Sequence, residues 1–155
     1  MKQLDLQGSL TPHDSKTHIR VPFVVEARCA KLHIRLQYSP KILEDRRRSI
    51  ELLKESYELY ILPEHQEYAT AHADQHLPLK NLITLSLDDT NGYRGACHRH
   101  DDIQELYISK QEASPGLMAG TLPMGNWSIT LSVHCIVTEA CAYQLQVWTT
   151  EEDVL

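Results

Sequence analysis

At 155 residues the chain has the length of one domain with a real hydrophobic core and is too short for two domains of ordinary size. Its 15 Lys and Arg against 21 Asp and Glu leave a formal charge of −6, which disfavours duplex nucleic acid and other polyanions as partners. Hydrophobic content of 42% with 23% charged residues excludes a disordered chain, and nine histidines beside a single phenylalanine are the one unusual count.

No apolar run near the N-terminus has the length of a secretory signal core, and no stretch elsewhere is long enough to cross a membrane. The expected location is therefore cytoplasmic, without a membrane partner. Residues 1–16 are polar and carry Gly8, Pro12 and Asp14, so an irregular or weakly strand-like lead is expected. From His18 to Val25 the chain is β-branched, and Pro22, which cannot donate to a ladder, places this strand at an edge or breaks it. Leu32, Ile34, Leu36 and Tyr38 then alternate with Lys31, His33, Arg35 and Gln37, giving one dry face and one wet face.

Ser39-Pro40 has the form of a helix N-cap followed by proline at the first helical position. An amphipathic helix is expected over about residues 40–61, with Leu43, Ile50, Leu53, Tyr57 and Tyr60 on one stripe and Pro63 beyond its end. Arg46, Arg47 and Arg48 point in different directions on such a helix, beside Glu44, Asp45 and Glu51, and read as a solvated face. Residues 64–79 look like a connecting segment with at most a helical turn.

Beyond it the pattern is β. Ile83, Leu85 and Leu87 lead through Asp88-Asp89-Thr90-Asn91-Gly92 to Tyr93, a hairpin. Leu106 and Ile108, then Trp127, Ile129, Leu131 and Val133, then Tyr143, Leu145 and Val147 mark three further strands. Six or seven strands with one helical insertion predict a mostly β, two-layer antiparallel sandwich of jelly-roll type spanning residues 1–155, with residues 40–79 inserted between strands.

The densest polar cluster is Cys97-His98-Arg99-His100-Asp101-Asp102, whose imidazoles and carboxylates are ligand types for zinc, manganese or iron. A metal there would be held by His98, His100, Asp102 and His134, with Glu105 as a further candidate. Otherwise no cofactor is expected. His65, His72 and His76 form a second cluster that lacks the H-E-x-x-H pattern. Cys29, Cys97, Cys135 and Cys141 show no C-x-x-C pair and read as reduced, mostly buried thiols. A Cys/His site from Cys97, His98, His134 and Cys135 would need their strands to converge. Nucleophile elbows, P-loops and dinucleotide fingerprints are absent from the sequence.

The run Asn81-Leu82-Ile83-Thr84-Leu85-Ser86-Leu87-Asp88-Asp89, then Asn91-Gly92-Tyr93-Arg94-Gly95, Ile108-Ser109, Ala113-Ser114-Pro115-Gly116 and Gly120-Thr121-Leu122-Pro123-Met124-Gly125-Asn126-Trp127 resembles the N-terminal β-sandwich domain of CehA/McbA-type metallohydrolases. The resemblance covers roughly residues 18–148. It implies a sandwich that accompanies a PHP-type catalytic domain, where that family's metal-dependent hydrolysis takes place. Here the sequence given ends at Leu155, after the sandwich, and the family's catalytic residues have no positions to be carried onto; His98-Arg99-His100 has only the H-x-H form of the PHP motif.

The function expected from this is a non-catalytic accessory or binding domain, whose partner is a PHP-type catalytic subunit, a second copy or a small ligand. Tyr93, Arg94, His98, His100 and Trp148 are the candidate ligand or partner contacts. One alternative is a carbohydrate or small-ligand module, signalled by Tyr93, Tyr107 or Trp148 lining one face. The other is a small metal-dependent hydrolase built on His98 and His100.

Overall fold

The computed structural model describes residues 1–151; the last four positions of the 1–155 domain lie outside the described residues. Its long strands are β1 (Lys2–Leu10), β2 (Thr17–Val25), β3 (Lys31–Ser39), β6 (Leu82–Asp89), β7 (Gly92–Cys97), β8 (Ile103–Ser109), β9 (Gly125–Cys135) and β10 (Cys141–Thr150). Between β3 and β6 lie the short β4 (Ile42–Leu43) and β5 (Leu79–Lys80), with α1 (Arg46–Tyr60) and α2 (Pro63–Ala71) between them.

Two four-stranded antiparallel sheets, ordered β1-β10-β3-β8 and β2-β9-β6-β7, form the sandwich. Leaving out β4 and β5, the first long strand pairs with the last, the second with the seventh, the third with the sixth and the fourth with the fifth. This is a long hairpin rolled up on itself, the winding of a jelly roll.

Alternation carries the layers. Along β3, Leu32, Ile34, Leu36 and Tyr38 are buried while Lys31, His33, Arg35 and Gln37 stay half-exposed. Ile129, Leu131 and Val133 of β9, Leu145 and Val147 of β10, and Ile83, Leu85 and Leu87 of β6 complete the core around Trp127, which is 1% exposed. Fully burying each of these aliphatic side chains contributes about 1.5–3 kcal/mol. Pro22 sits outward on β2, the edge strand of its sheet, the place in a sheet where proline is tolerated.

Several expectations are corrected. Residues 1–16 are not an irregular lead: Leu4, Leu6 and Leu10 alternate on β1, which pairs with β10 from Leu10↔Cys141 to Lys2↔Trp148 and is followed by a short 3₁₀ turn at Pro12–Asp14. Adding β1 raises the six or seven expected strands to eight long ones.

The helix does not begin at Ser39-Pro40, because Ser39 still pairs with Ala142 in the sheet. Ile42 and Leu43 then pair with Lys80 and Leu79, and Asp45 caps α1 by accepting from the Arg48 amide at 3.0 Å. The segment after it is a second helix, α2, with Pro63 at its start and a 3₁₀ turn at Ala73–His76 beyond it. On α1 only Ser49 and Tyr57 are buried, and Tyr60, expected on the apolar stripe, is 71% exposed because α1 packs mainly on α2. The arginine triplet is solvated, with Arg47 and Arg48 paired to Glu51. Among the described residues no helix is long and apolar enough to cross a membrane.

Candidate functional site

The sequence's candidate residues are spread over several separate places. His98 and His100 lie exposed on the loop between β7 and β8. That loop is held through its backbone by the fully buried Gln104 side chain, whose Nε2 donates to Asp101 O at 2.9 Å and Ile83 O at 3.1 Å. The Tyr38 amide adds a 3.0 Å bond to Asp102 O. His134 is on β9, where its Nε2 hydrogen-bonds Thr84 Oγ1 at 2.7 Å, and Glu105 is paired with Arg35 at 3.2 Å. Among the described residues no group of three or more His, Cys, Asp or Glu side chains is placed to hold a metal ion, so the expected set of His98, His100, Asp102 and His134 is not assembled. The same holds for Cys97, His98, His134 and Cys135; the Cys97 thiol instead donates to Pro115 O at 3.4 Å. In the second cluster His72 caps α2 and bonds Tyr68 O, while His76 lies in the separate 3₁₀ turn, so the two do not share a helical face.

Arg94 is structural rather than a ligand contact. It forms a 2.7 Å ion pair with Asp89, their side chains 10% and 6% exposed, and donates to the carbonyls of Met118, Gly120 and Thr121 at 2.8–3.2 Å. Its guanidinium lies 5.7 Å from the Trp127 ring centroid. One side chain thus clamps the β6–β7 hairpin to the loop that leads into β9. Gly95, at φ 121, lets that loop approach, since a Cβ there would meet the Gly116 carbonyl. The neighbouring Tyr93 is 60% exposed on β7, in the other sheet from Trp148.

Trp148 belongs to a different construction, on the outer face of the β1-β10-β3-β8 sheet. Strand register sets Trp148 opposite His33 and His33 opposite Tyr107, so three rings stand side by side across β10, β3 and β8. The indole and imidazole are stacked at 5.1 Å with planes 6° apart, and Lys31 Nζ lies 4.4 Å from the Tyr107 ring centroid. Partial burial, followed by the charges of Lys31 and the N-terminus, holds the His33 imidazolium less favourable than usual, lowering its pKa from the ordinary 6.5. The ring beside Trp148 is accordingly neutral at neutral pH.

Two residues along the strands, Arg35 pairs with Glu105. Two further on comes an amide row: Gln37 Nε2 donates to Gln144 Oε1 at 2.7 Å, and Gln144 Nε2 to Asp5 Oδ1 at 3.0 Å. That bond and the ion pair with Lys2 hold the Asp5 carboxyl below its usual range. Beside the amide row opens a cleft of about 510 Å³, lined among others by Gln7, Gln37, Asp102, Ile103 and Gln144.

Of these residues the sequence singled out Trp148, Tyr107, Asp102 and Glu105, and Lys31, His33, Arg35 and Gln37 only as members of a wet face. The signal for the rest was the polar half of each alternating strand, which shows that a residue faces solvent but not which strand lies beside it. No protein-family model matches the chain, and a search of curated proteins finds no match to it.

Proposed function

We propose that this chain is a non-catalytic β-sandwich binding domain, related to the N-terminal domain of the CehA/McbA-type metallohydrolases, that works through the outer face of its β1-β10-β3-β8 sheet. The observation that carries the reading is the Trp148–His33–Tyr107 row: an ordered set of rings on the solvent side of a sheet, Trp148 being 37% exposed. Rings placed outward in register, next to polar side chains already oriented by one another, suit recognition of a ligand surface. The motifs that carry the family resemblance also converge in space. Asp89, Arg94, Gly95, Gly116, Gly120 and Trp127, far apart in the chain, all meet at the Arg94 clamp or the close approach beside it. In this reading these motifs serve to build the sandwich, the part an accessory domain would supply.

Untagged protein incubated with Mn²⁺ or Zn²⁺ and phosphomonoester, phosphodiester and amide substrates is expected to give no turnover. Metal-dependent hydrolysis abolished by His98→Ala or His100→Ala would overturn the non-catalytic assignment. Surface plasmon resonance against a PHP-type catalytic domain tests the partner directly. Binding weakened by Trp148→Ala supports a subunit-docking role for this face, and binding insensitive to it rejects that role.

A further inference from the structure

We infer that the ligand of this face is a neutral polyhydroxylated chain, an oligosaccharide or glycan, lying along the strands from the Trp148 row to the cleft at Gln7, Gln37 and Gln144. The inference rests on the binding-face reading above and adds the chemistry of the occupant.

Three features of the face select that chemistry. The first is its charge. Lys2, Lys31 and Arg35 are matched by Asp5, Glu105 and Asp102; Lys2 and Arg35 are ion-paired to Asp5 and Glu105, and Lys31 sits over the Tyr107 ring. The cations are thus largely committed, leaving no field for a phosphorylated or carboxylated ligand. The second is the form of the polar groups. The Gln37–Gln144–Asp5 chain fixes its amides in place while leaving Gln37 Oε1 and one N–H of each amide without a partner among the described residues. Among the described residues neither the Gln7 amide nor the Asp102 carboxylate takes a hydrogen bond, and both line the cleft. A group of amides and one carboxylate, offering donors and acceptors close together, matches vicinal hydroxyls, each of which donates and accepts. The third is the indole: a half-exposed, flat, apolar surface beside a neutral imidazole suits the C–H face of a pyranose ring.

The spacing favours a chain over a single ring. Trp148 and Gln144 are four residues apart on β10, as are His33 and Gln37 on β3, so the aromatic row and the amide row are separated by about 13 Å along the strands. A ligand that engages both must extend over more than one sugar unit.

The test titrates the protein with cellohexaose, xylohexaose, mannohexaose and maltohexaose, and in parallel with a galacturonate hexamer and a heparin hexasaccharide, following tryptophan emission and heat. Trp127 is buried, so a change in emission on binding reports Trp148. At least one neutral hexamer is expected to bind, with affinity reduced tenfold or more in Trp148→Ala and in Gln37→Ala and unchanged in Tyr93→Ala, on the other sheet. Matching thermal melts establish that the variants are folded, and Gln37→Ala serves if Trp148→Ala is not. Face-dependent binding of only the anionic hexamers would overturn the neutral-glycan inference while the binding face stands. Binding of a neutral hexamer that both variants leave intact would overturn the face as well. Failure of all six probes to bind overturns the inference.

Discussion

Replacing Arg94 by methionine removes the charge and donors of the clamp while keeping a long unbranched side chain in its space. The Asp89 carboxylate, 6% exposed, then loses its 2.7 Å cationic partner, and the carbonyls of Met118, Gly120 and Thr121 lose their donors. Breaking one side of a buried pair costs about 3–5 kcal/mol because the remaining charge stays uncompensated. For a domain of this size each kcal/mol is about 2–4 °C of Tm, so a fall of about 6–20 °C is expected. Urea denaturation gives the free-energy change directly, and an unchanged slope would show that the unfolded ensemble is not the source. Adding Asp89→Asn to Arg94→Met should recover part of the loss, and a coupling of about 1–3 kcal/mol from the double-mutant cycle identifies the pair as the origin. Arg94→Lys should also destabilise, since one ammonium cannot serve a carboxylate and three carbonyls in the planar geometry of a guanidinium. The reasoning fails if Arg94→Met costs less than about 1 kcal/mol, below the range for a buried pair, or if lysine is fully tolerated.

Gly95→Ala should cost at least about 1–3 kcal/mol, from the backbone at φ 121 alone, with the clash against Gly116 added; a neutral melt would show that the loop can withdraw freely. His33 holds its proton more weakly folded than unfolded, so below the ordinary 6.5 the unfolded state binds more protons and stability rises with pH through that window. The difference in Tm between pH 5 and pH 7.5 should therefore be smaller in His33→Gln than in the parent protein, and equal differences would refute the assignment. Burial raises the Cys97, Cys135 and Cys141 thiols above their ordinary 9.0, so alkylation by iodoacetamide at pH 8 should be slow in the folded protein and many-fold faster in urea. Fast labelling of all three under native conditions would contradict that burial.

β-Branched composition placed β2, and period-two alternation was enough to place β3, β6, β8, β9 and β10 with their inward residues, because a strand buried on one side must alternate whatever it pairs with. Alternation says nothing of Pro22, whose missing donor left an edge or a break as the options, or of the arginine triplet, which helix geometry put in solvent. It was weaker on β1, whose inward series is interrupted by Gly8, and on residues 64–79, where helix α2 has almost no apolar stripe and is held by α1. The start of α1 was misplaced because Ser39-Pro40 satisfies a helix-start pattern that sheet pairing with Ala142 overrides.

For the candidate site, sequence supplied the residue types and the fold supplied their company. Arg94 and Trp148 looked alike as candidates, but Arg94 is enclosed by a loop 24 to 27 positions away, while Trp148 faces solvent beside His33, a residue at the other end of the chain. The sequence by itself determined an antiparallel sandwich and which side chains of most strands face inward, since solvent enforces that choice residue by residue. Only the tertiary structure decided which outward side chains are neighbours, because strand order and register are set by the packing of the whole roll.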